Sequence, residues 1–367
     1  MKILILSCNT GEGHNSCARA ISEELERKGD WGYIADGLAF LSTGTSKFVS
    51  GWHTRLYRYF PRLYGKGYEY AEKHPMNIKK HTAAYRMIRR GAKRLRKVIK
   101  AGGYDGVICT HLFPAMMVTG LVKKGTVTIP ACFVATDYTA SPGCEKVSLP
   151  TITPHPDLTG EFQAVGIPAE NILAYGIPVR SMFTEKTDKA EAKRKAGLDP
   201  ERLHMVIMGG SMGCGPMEEL TQLLANSLPT EYDVTVACSS NRQLLRRMER
   251  KFEDRPNIHI RGYIGNVSAM MDSADLFLTK PGGISTTEAM VKGLPMVLVN
   301  VVGGCETPNL EFFVSHGGAA TADTPEAIAA LCKRLLEQDE ERLIMRQSLL
   351  AMHKTPAAQA ICDCLEA

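Results

Sequence analysis

Two short apolar runs, Ile3 to Leu6 and Met205 to Met208, each pass directly into a glycine-rich turn followed by a helical pattern. The first turn is Gly11-Glu12-Gly13-His14, and the second is Gly209-Gly210-Ser211-Met212-Gly213-Cys214-Gly215. A strand that hands over to a helix through glycines points backbone N–H groups, and the positive end of the helix, at whatever binds there. One such turn constrains little. Two of them, about two hundred residues apart, predict two nucleotide-fold domains, each with its own doubly wound sheet, facing a shared cleft. A chain of 367 residues is long enough for two cores. Only the first turn carries a histidine, which phosphate cradling does not require.

The flanking pattern repeats the same architecture. In the first half, strands are expected at Ile3–Leu6, Gly32–Ala35, Val107–Cys109, Ala131–Ala135 and Thr151–Thr153, with a last strand near Tyr175–Val179. Helices are expected at Ser16–Lys28 and Pro156–Val165. In the second half, strands are expected at Met205–Met208, Tyr232–Ala237, Ile258–Arg261, Leu276–Thr279 and Pro295–Asn300. Helices alternate with them at Met217–Leu228, Gln243–Phe252, Val267–Asp272 and Ile284–Lys292, then follow at Glu326–Glu337 and Glu341–Lys354. Short, β-rich apolar runs of this kind belong to parallel sheets buried on both faces.

Composition excludes several classes. Apolar residues make up 44% and charged residues 23%, as in soluble globular proteins. No apolar run approaches the ~20 residues of a membrane span, and the four-residue run at Ile3 is no signal peptide. Eleven cysteines without a CxxC pair read as reduced thiols of a cytosolic protein, with neither a disulfide framework nor a zinc site. The net charge of +5 hides an asymmetry: Trp52 to Lys100 holds fifteen Lys or Arg against Glu69 and Glu72. That block is interleaved with Trp52, Leu56, Tyr57, Phe60, Leu63, Tyr64 and Tyr68. Basic and aromatic residues at helical spacing describe an interfacial membrane element on an anionic leaflet. No nucleic-acid module accompanies the block, so nucleic acid is the less favoured partner.

Three turns carry candidate chemistry besides the first. Gly209 to Gly215 suits an anion, with Ser211 adding a hydroxyl. Lys280-Pro281-Gly282-Gly283-Ile284-Ser285-Thr286-Thr287-Glu288 is another strand, glycine turn and helix start. It suits a diphosphate, with Glu288 one turn in for a ribose diol; the alternative for Glu288 is a helix-start acid balancing the dipole. In Gly303-Gly304-Cys305-Glu306-Thr307-Pro308-Asn309, Glu306 and Asn309 lie one turn apart and suit a sugar. His14 can act as a base near neutral pH. The other readings of its turn are a solvent-facing histidine, or a dinucleotide fingerprint with Asp36 as ribose acid. Ser16 occupies the third glycine position of that fingerprint.

Together these residues resemble the monogalactosyldiacylglycerol synthase and processive diacylglycerol glucosyltransferase group of glycosyltransferase family 28. Thr10-Gly11-Glu12-Gly13-His14 matches its T-G-G-G-H turn, and Ala135-Thr136-Asp137-Tyr138 its T-D segment. The turns at Gly209, Lys280 and Cys305 match its donor motifs. The resemblance implies a GT-B fold: an acceptor and membrane-binding domain over 1–180 and a UDP-sugar domain over 181–340, with the helix at about 341–367 packing back on the first. It implies Tyr263 and Ile264 near uracil and Ser211 with the Gly282-Gly283 turn near the diphosphate, with Gly210, Gly213, Ile284, Ser285 and Thr286 also at the donor site. Glu288 would meet the ribose, and Glu306 and Asn309 the sugar. His14 would be the base, oriented by Asp137. Gly11 and Gly13, with Trp52, Arg55, Tyr57, Arg58, Phe60 and Arg62, would serve acceptor and membrane. The implied reaction is inverting transfer of glucose or galactose from a UDP-hexose to diacylglycerol, without metal or other cofactor, on the inner face of the cell membrane. Oligomeric state is left open. Glu12 and Cys305 depart from the family pattern, and Tyr138-Thr139-Ala140-Ser141-Pro142 lacks the family's histidine and tryptophan. The alternatives are a UDP-sugar epimerase of the same architecture and a non-catalytic nucleotide-sugar or lipid binder.

Overall fold

A computed structural model describes residues 1–9, 11–41, 44, 63, 65–67, 70, 82–211, 213, 215–299, 304, 306–353 and 356–366. The chain divides into two compact units, Met1–Ser181 with the C-terminal stretch Thr355–Ala367, and Met182–Val301 with Glu306–Lys354.

The first unit runs β1 (Lys2–Ser7), α1 (Glu12–Arg27), β2 (Trp31–Asp36), α2 (Ala83–Gly102), β3 (Gly106–Cys109), α3 (Leu112–Val122), β4 (Ala131–Val134), β5 (Thr151–Ile152), α4 (Thr159–Ala164) and β6 (Ile172–Leu173). Its strands pair in parallel in the order β2-β1-β3-β4-β5-β6. Helices cover both faces, so Ile3 to Leu6 and Val107 to Cys109 are fully buried, which is why those strands read as unbroken apolar runs.

Three features depart from the sequence reading. α1 begins at Glu12 rather than Ser16, which places His14 inside its first turn. α3 is apolar on all sides and buried along most of its length, so it lacks the periodicity that marks an amphipathic helix. The last strand of the unit is β6, not Tyr175–Val179: Gly176 adopts φ +97° and Pro178 has no N–H for a ladder.

The second unit runs α5 (Lys189–Ala196), β7 (His204–Met208), α6 (Met217–Ser227), β8 (Asp233–Ala237), α7 (Arg242–Lys251), β9 (Ile258–Arg261), α8 (Val267–Asp272), β10 (Leu276–Thr279), α9 (Gly283–Lys292), β11 (Met296–Leu298), α10 (Glu306–Ser315), β12 (Ala319–Ala320), α11 (Pro325–Glu337) and α12 (Asp339–Met352). Its parallel order is β12-β11-β10-β7-β8-β9. The C-terminal stretch is two helices, not one. α12 packs on α9 within the second unit, while α13 (Ala357–Glu366) packs on α1 within the first. Lys28 of α1 ties α13 down through Asp363 (2.7 Å) and Glu366.

Both strand orders contain a reversal. In the first sheet the chain departs in opposite directions from the β1/β3 pair, and in the second from the β7/β10 pair. Loops leaving the carboxyl ends of such a pair diverge to opposite faces and open a crevice, where ligands of doubly wound sheets bind.

Candidate active site

In the first unit, the carboxyl ends of three adjacent strands converge on His14. α1 follows β1, Thr110 follows β3, and Thr136 and Asp137 follow β4. The half-buried ring has its Nδ1 2.8 Å from the Thr110 carbonyl oxygen and 3.1 Å from the Thr136 hydroxyl. A carbonyl only accepts, so the Thr110 contact places the proton on Nδ1 and leaves Nε2 with a free lone pair. The Thr110 hydroxyl closes the loop by donating to the His14 carbonyl at 3.2 Å. The His111 ring meets His14 edge-on at 4.6 Å between centroids. Burial pushes the His14 imidazolium below its usual range, and the Asp137 charge with the Thr110 carbonyl only partly offsets this. The result is an imidazole that is neutral at neutral pH, with a fixed tautomer and a base at Nε2. Asp137 acts on it as a nearby charge, while Nδ1 takes its orientation from Thr110 and Thr136. Neither threonine was singled out from sequence as a partner of the histidine; only the β1-β3-β4 order brings them together.

Gly11 caps α1 in extended backbone, φ −177°, and a Cβ there would meet nothing within 4 Å. Gly13 lies within the first turn of α1. Asp36 caps the following 3₁₀ turn through the Leu38 amide (2.9 Å) and accepts from Asn9 (3.1 Å). Each oxygen of the Asp36 carboxylate thus accepts a bond from within the protein.

In the second unit, register pairs Met208 of β7 with Thr279 of β10, so the two glycine turns leave the sheet side by side. Here the glycines are demanded. Gly210 has φ +69° and Gly213 φ +58°, and a Cβ on Gly213 would run into the Cys238 carbonyl. A Cβ on Gly210 would come within 2.7 Å of the Lys280 Cε, and one on Gly282 within 3.4 Å of the Lys280 Nζ. Lys280 therefore threads between both turns, and its ammonium is held 2.6 Å from the Glu306 carboxylate. The first amides of α9, on Gly283, Ile284 and Ser285, precede the intrahelical ladder that begins when the Thr286 N–H reaches the Gly282 carbonyl. A lysine beside free helix-start amides suits a diphosphate.

Three of the expected donor residues have partners within the turn region itself. Thr286 is fully buried and its hydroxyl donates to the Gly282 carbonyl at 3.0 Å, so the side chain serves the helix start. Asn309 is fully buried and its amide donates to the Pro281 carbonyl at 2.9 Å, which braces the turn. Glu306 is only 3% exposed, with its carboxylate on Lys280. Spacing placed Glu306 and Asn309 on one helix face, and that face turns toward Lys280 and Pro281. Lys280 itself went unassigned in the sequence, because nothing there predicts that an acid 26 residues later meets it.

Residues 14–179 match the sequence profile of the family monogalactosyldiacylglycerol (MGDG) synthase, and residues 199–349 match glycosyl transferases group 1. The processive diacylglycerol beta-glucosyltransferase of Staphylococcus epidermidis is 26% identical across 98% of this chain and 91% of its own. That of Staphylococcus carnosus is 27% identical across 93% and 86%. Both halves of the chain thus match glycosyltransferase profiles, one for each half. Among solved structures, MurG of Acinetobacter baumannii superposes with a TM-score of 0.65 at 15% identity, covering 99% of this chain and 98% of its own. UDP-GlcNAc 2-epimerase from Neisseria meningitidis, bound to UDP-GlcNAc, gives 0.64 at 12% identity with full coverage of both. These likenesses fix the fold as GT-B.

The remaining expected site residues fall as follows. Tyr263 and Ile264 follow β9 at the carboxyl edge of the second sheet, and Tyr263 is 82% exposed. Ser211 is exposed on the β7–α6 turn, whose Gly210 carbonyl is held by the Ser239 hydroxyl at 2.9 Å. Glu288 is nearly buried on α9, and Ser285 is half-buried on its first turn. Trp52, Arg55, Tyr57, Arg58, Phe60 and Arg62 lie outside the described residues, as do Thr10, Met212, Cys214 and Cys305. Among the described residues, no helix is long and apolar enough to cross a membrane.

Proposed function

We propose that this chain is an inverting glycosyltransferase that moves glucose or galactose from a UDP-sugar to diacylglycerol. The observation that carries the reading is His14: a neutral imidazole whose Nδ1 proton is committed to the Thr110 carbonyl, leaving Nε2 as a base. Nε2 takes the proton of the acceptor hydroxyl as its oxygen forms a bond to the anomeric carbon. The bond from that carbon to the diphosphate breaks, and UDP departs with the electron pair. Lys280 and the amides of Gly283, Ile284 and Ser285 meet the charge that develops on the leaving diphosphate. Glu288 receives the ribose, Tyr263 and Ile264 lie beside the uracil, and Ser211 adds a hydroxyl to the phosphates. Glu306 presents Lys280 and, through it, reads the neighbourhood of the sugar.

The relatives' names supply the acceptor class. The basic block from Trp52 to Lys100 supports attachment to an anionic membrane face, each basic residue near such a surface contributing about 1 kcal/mol. In this reading the protein is cytoplasmic and peripheral, and it needs no metal.

Incubation with diacylglycerol vesicles and a panel of UDP-sugars tests the proposal. The expected result is a new glycolipid, identified by mass, with one molecule of UDP released per hexose transferred. Interconversion of free UDP-sugars without lipid would point to an epimerase instead, and UDP binding without release to a non-catalytic binder.

A further inference from the structure

Two histidines stand together at the carboxyl edge of the first sheet, and proton transfer to His14 leaves the other, His111, without a role. His111 immediately precedes α3 and caps it twice. Its carbonyl accepts from the Ala115 N–H at 3.3 Å, and its Nδ1 accepts from the Phe113 N–H at 3.2 Å. A ring nitrogen that accepts carries no proton, so the neutral ring bears its proton on Nε2. The ring is also stacked on Phe113, with 5.3 Å between centroids and 16° between planes. Phe113 in turn packs against the core of the unit. Held in this way, the His111 ring meets His14 edge-on, at 4.6 Å between centroids and 66° between planes.

Capping alone does not call for an imidazole. Ser, Thr, Asp or Asn accepts the same amide with fewer atoms, and these residues lead the ranking of helix caps. What the imidazole adds is a flat ring against the base. We propose that His111 is a positioning residue: its ring, fixed by the cap and by Phe113, walls His14, holds that imidazole in the plane that aims Nε2, and keeps water from it. The Thr110 carbonyl and the Thr136 hydroxyl both meet His14 at one atom, Nδ1. Bonds to a single atom leave a ring able to pivot about it, and a flat neighbour stops that rotation. Burial is the main reason the His14 imidazolium is disfavoured, and the His111 ring supplies part of that burial. Among the described residues, Asp137 after β4 is the one charge that acts on His14. Glu12, on α1 itself, is paired with Arg19 at 2.8 Å. The proposal rests on the reading of His14 as the base and adds the group that sets its plane and its hydration.

Two substitutions separate the ring from the cap. His111→Asn keeps a cap acceptor and removes the ring, whereas His111→Phe keeps a ring and removes the acceptor. Histidine-ring NMR on the full chain would follow the titration of His14, whose signal among the ten histidines is identified by its loss in His14→Gln. Initial rates on diacylglycerol vesicles with UDP-glucose and UDP-galactose would be taken beside it. His111→Asn should melt as wild type does, while its His14 titrates at higher pH than in wild type, because water reaches the ring. Its kcat should fall about tenfold or more, with KM for the UDP-sugar within about twofold of wild type. His111→Phe should melt earlier, yet titrate at His14 as wild type does and keep most of kcat. An unchanged His14 titration in His111→Asn, or a kcat lower in His111→Phe than in His111→Asn, would overturn the proposal. The titration needs no turnover. If wild type transfers no hexose, the reading of His14 as the base fails, and the NMR still decides whether His111 shields the ring. Should His111→Phe not fold, the titration in His111→Asn decides alone.

Discussion

The starts of α1 and α9 look alike in sequence, and the structure separates them. Both follow a parallel strand at the reversal of a doubly wound sheet, and both are approached through glycine. At α1 the cap residue Gly11 sits in extended backbone with open space around it, and the feature that matters is the side chain of His14. At α9 the matter is backbone and charge. Lys280 crosses between the two turns, Gly210 leaves it room, and Glu306 holds its ammonium. One helix start presents a base, and the other presents positive charge. A base is set by tautomer and pKa, whereas a charge cradle is set by close approach. The same local motif serves both because a helix N-terminus leaves its first amides free in either case.

This comparison can be broken in steps. At the second turn, the largest effect is expected at Lys280. Replacing Lys280 with Met removes the cation beside the leaving diphosphate and should lower kcat about 10²–10³-fold, the usual cost of losing one such donor. Lys280→Arg should recover part of that loss, and initial-rate kinetics across UDP-sugar concentrations would separate the fall in kcat from any change in KM.

The glycines come next. Gly213→Ala forces a Cβ into the Cys238 carbonyl at a left-handed φ and should cost about 1–3 kcal/mol in denaturant unfolding. Gly11→Ala should stay within about 0.5 kcal/mol, because nothing crowds its Cβ and its φ is ordinary. Equal costs would erase the distinction between the two turns.

The smallest effect concerns pH. Burial lowers the pKa of His14 from 6.5, so the neutral base is present at pH 7 and is lost only as pH falls below the usual histidine range. The acid limb of kcat/KM should therefore lie below 6.5. Asp137 raises that pKa, so Asp137→Asn should move the limb to still lower pH. A shift to higher pH would contradict the placement of Asp137 as a charge beside the ring.

The sequence made the sheets legible because parallel strands buried on both faces leave continuous apolar runs, and β1, β7 and β10 stood within a residue or two of their expected bounds. It hid α3, because a helix buried all round has no polar face to mark its period. Gly176 and Pro178 sit in an apolar stretch that reads as strand, yet the left-handed φ of Gly176 turns the chain and Pro178 has no N–H to donate. His14 stood out because a histidine at a glycine turn has no packing reason to be there. Its partners Thr110 and Thr136 did not, since a threonine after a strand is ordinary and only the strand order brings them to Nδ1. Glu306 and Asn309 were legible as a pair on one face of α10. Their partners, Lys280 and the Pro281 carbonyl, depend on how α10 packs against the turn after β10, which spacing along the chain does not encode.

The central claim is that the first turn holds a base and no nucleotide, while the second holds the nucleotide. Turnover on diacylglycerol vesicles and UDP affinity by calorimetry, measured side by side on wild type and His14→Ala, test it most directly. Turnover should fall about 10²–10⁴-fold while the UDP dissociation constant stays within about twofold of wild type. Turnover that survives the substitution, or UDP affinity that falls together with it, would contradict the account.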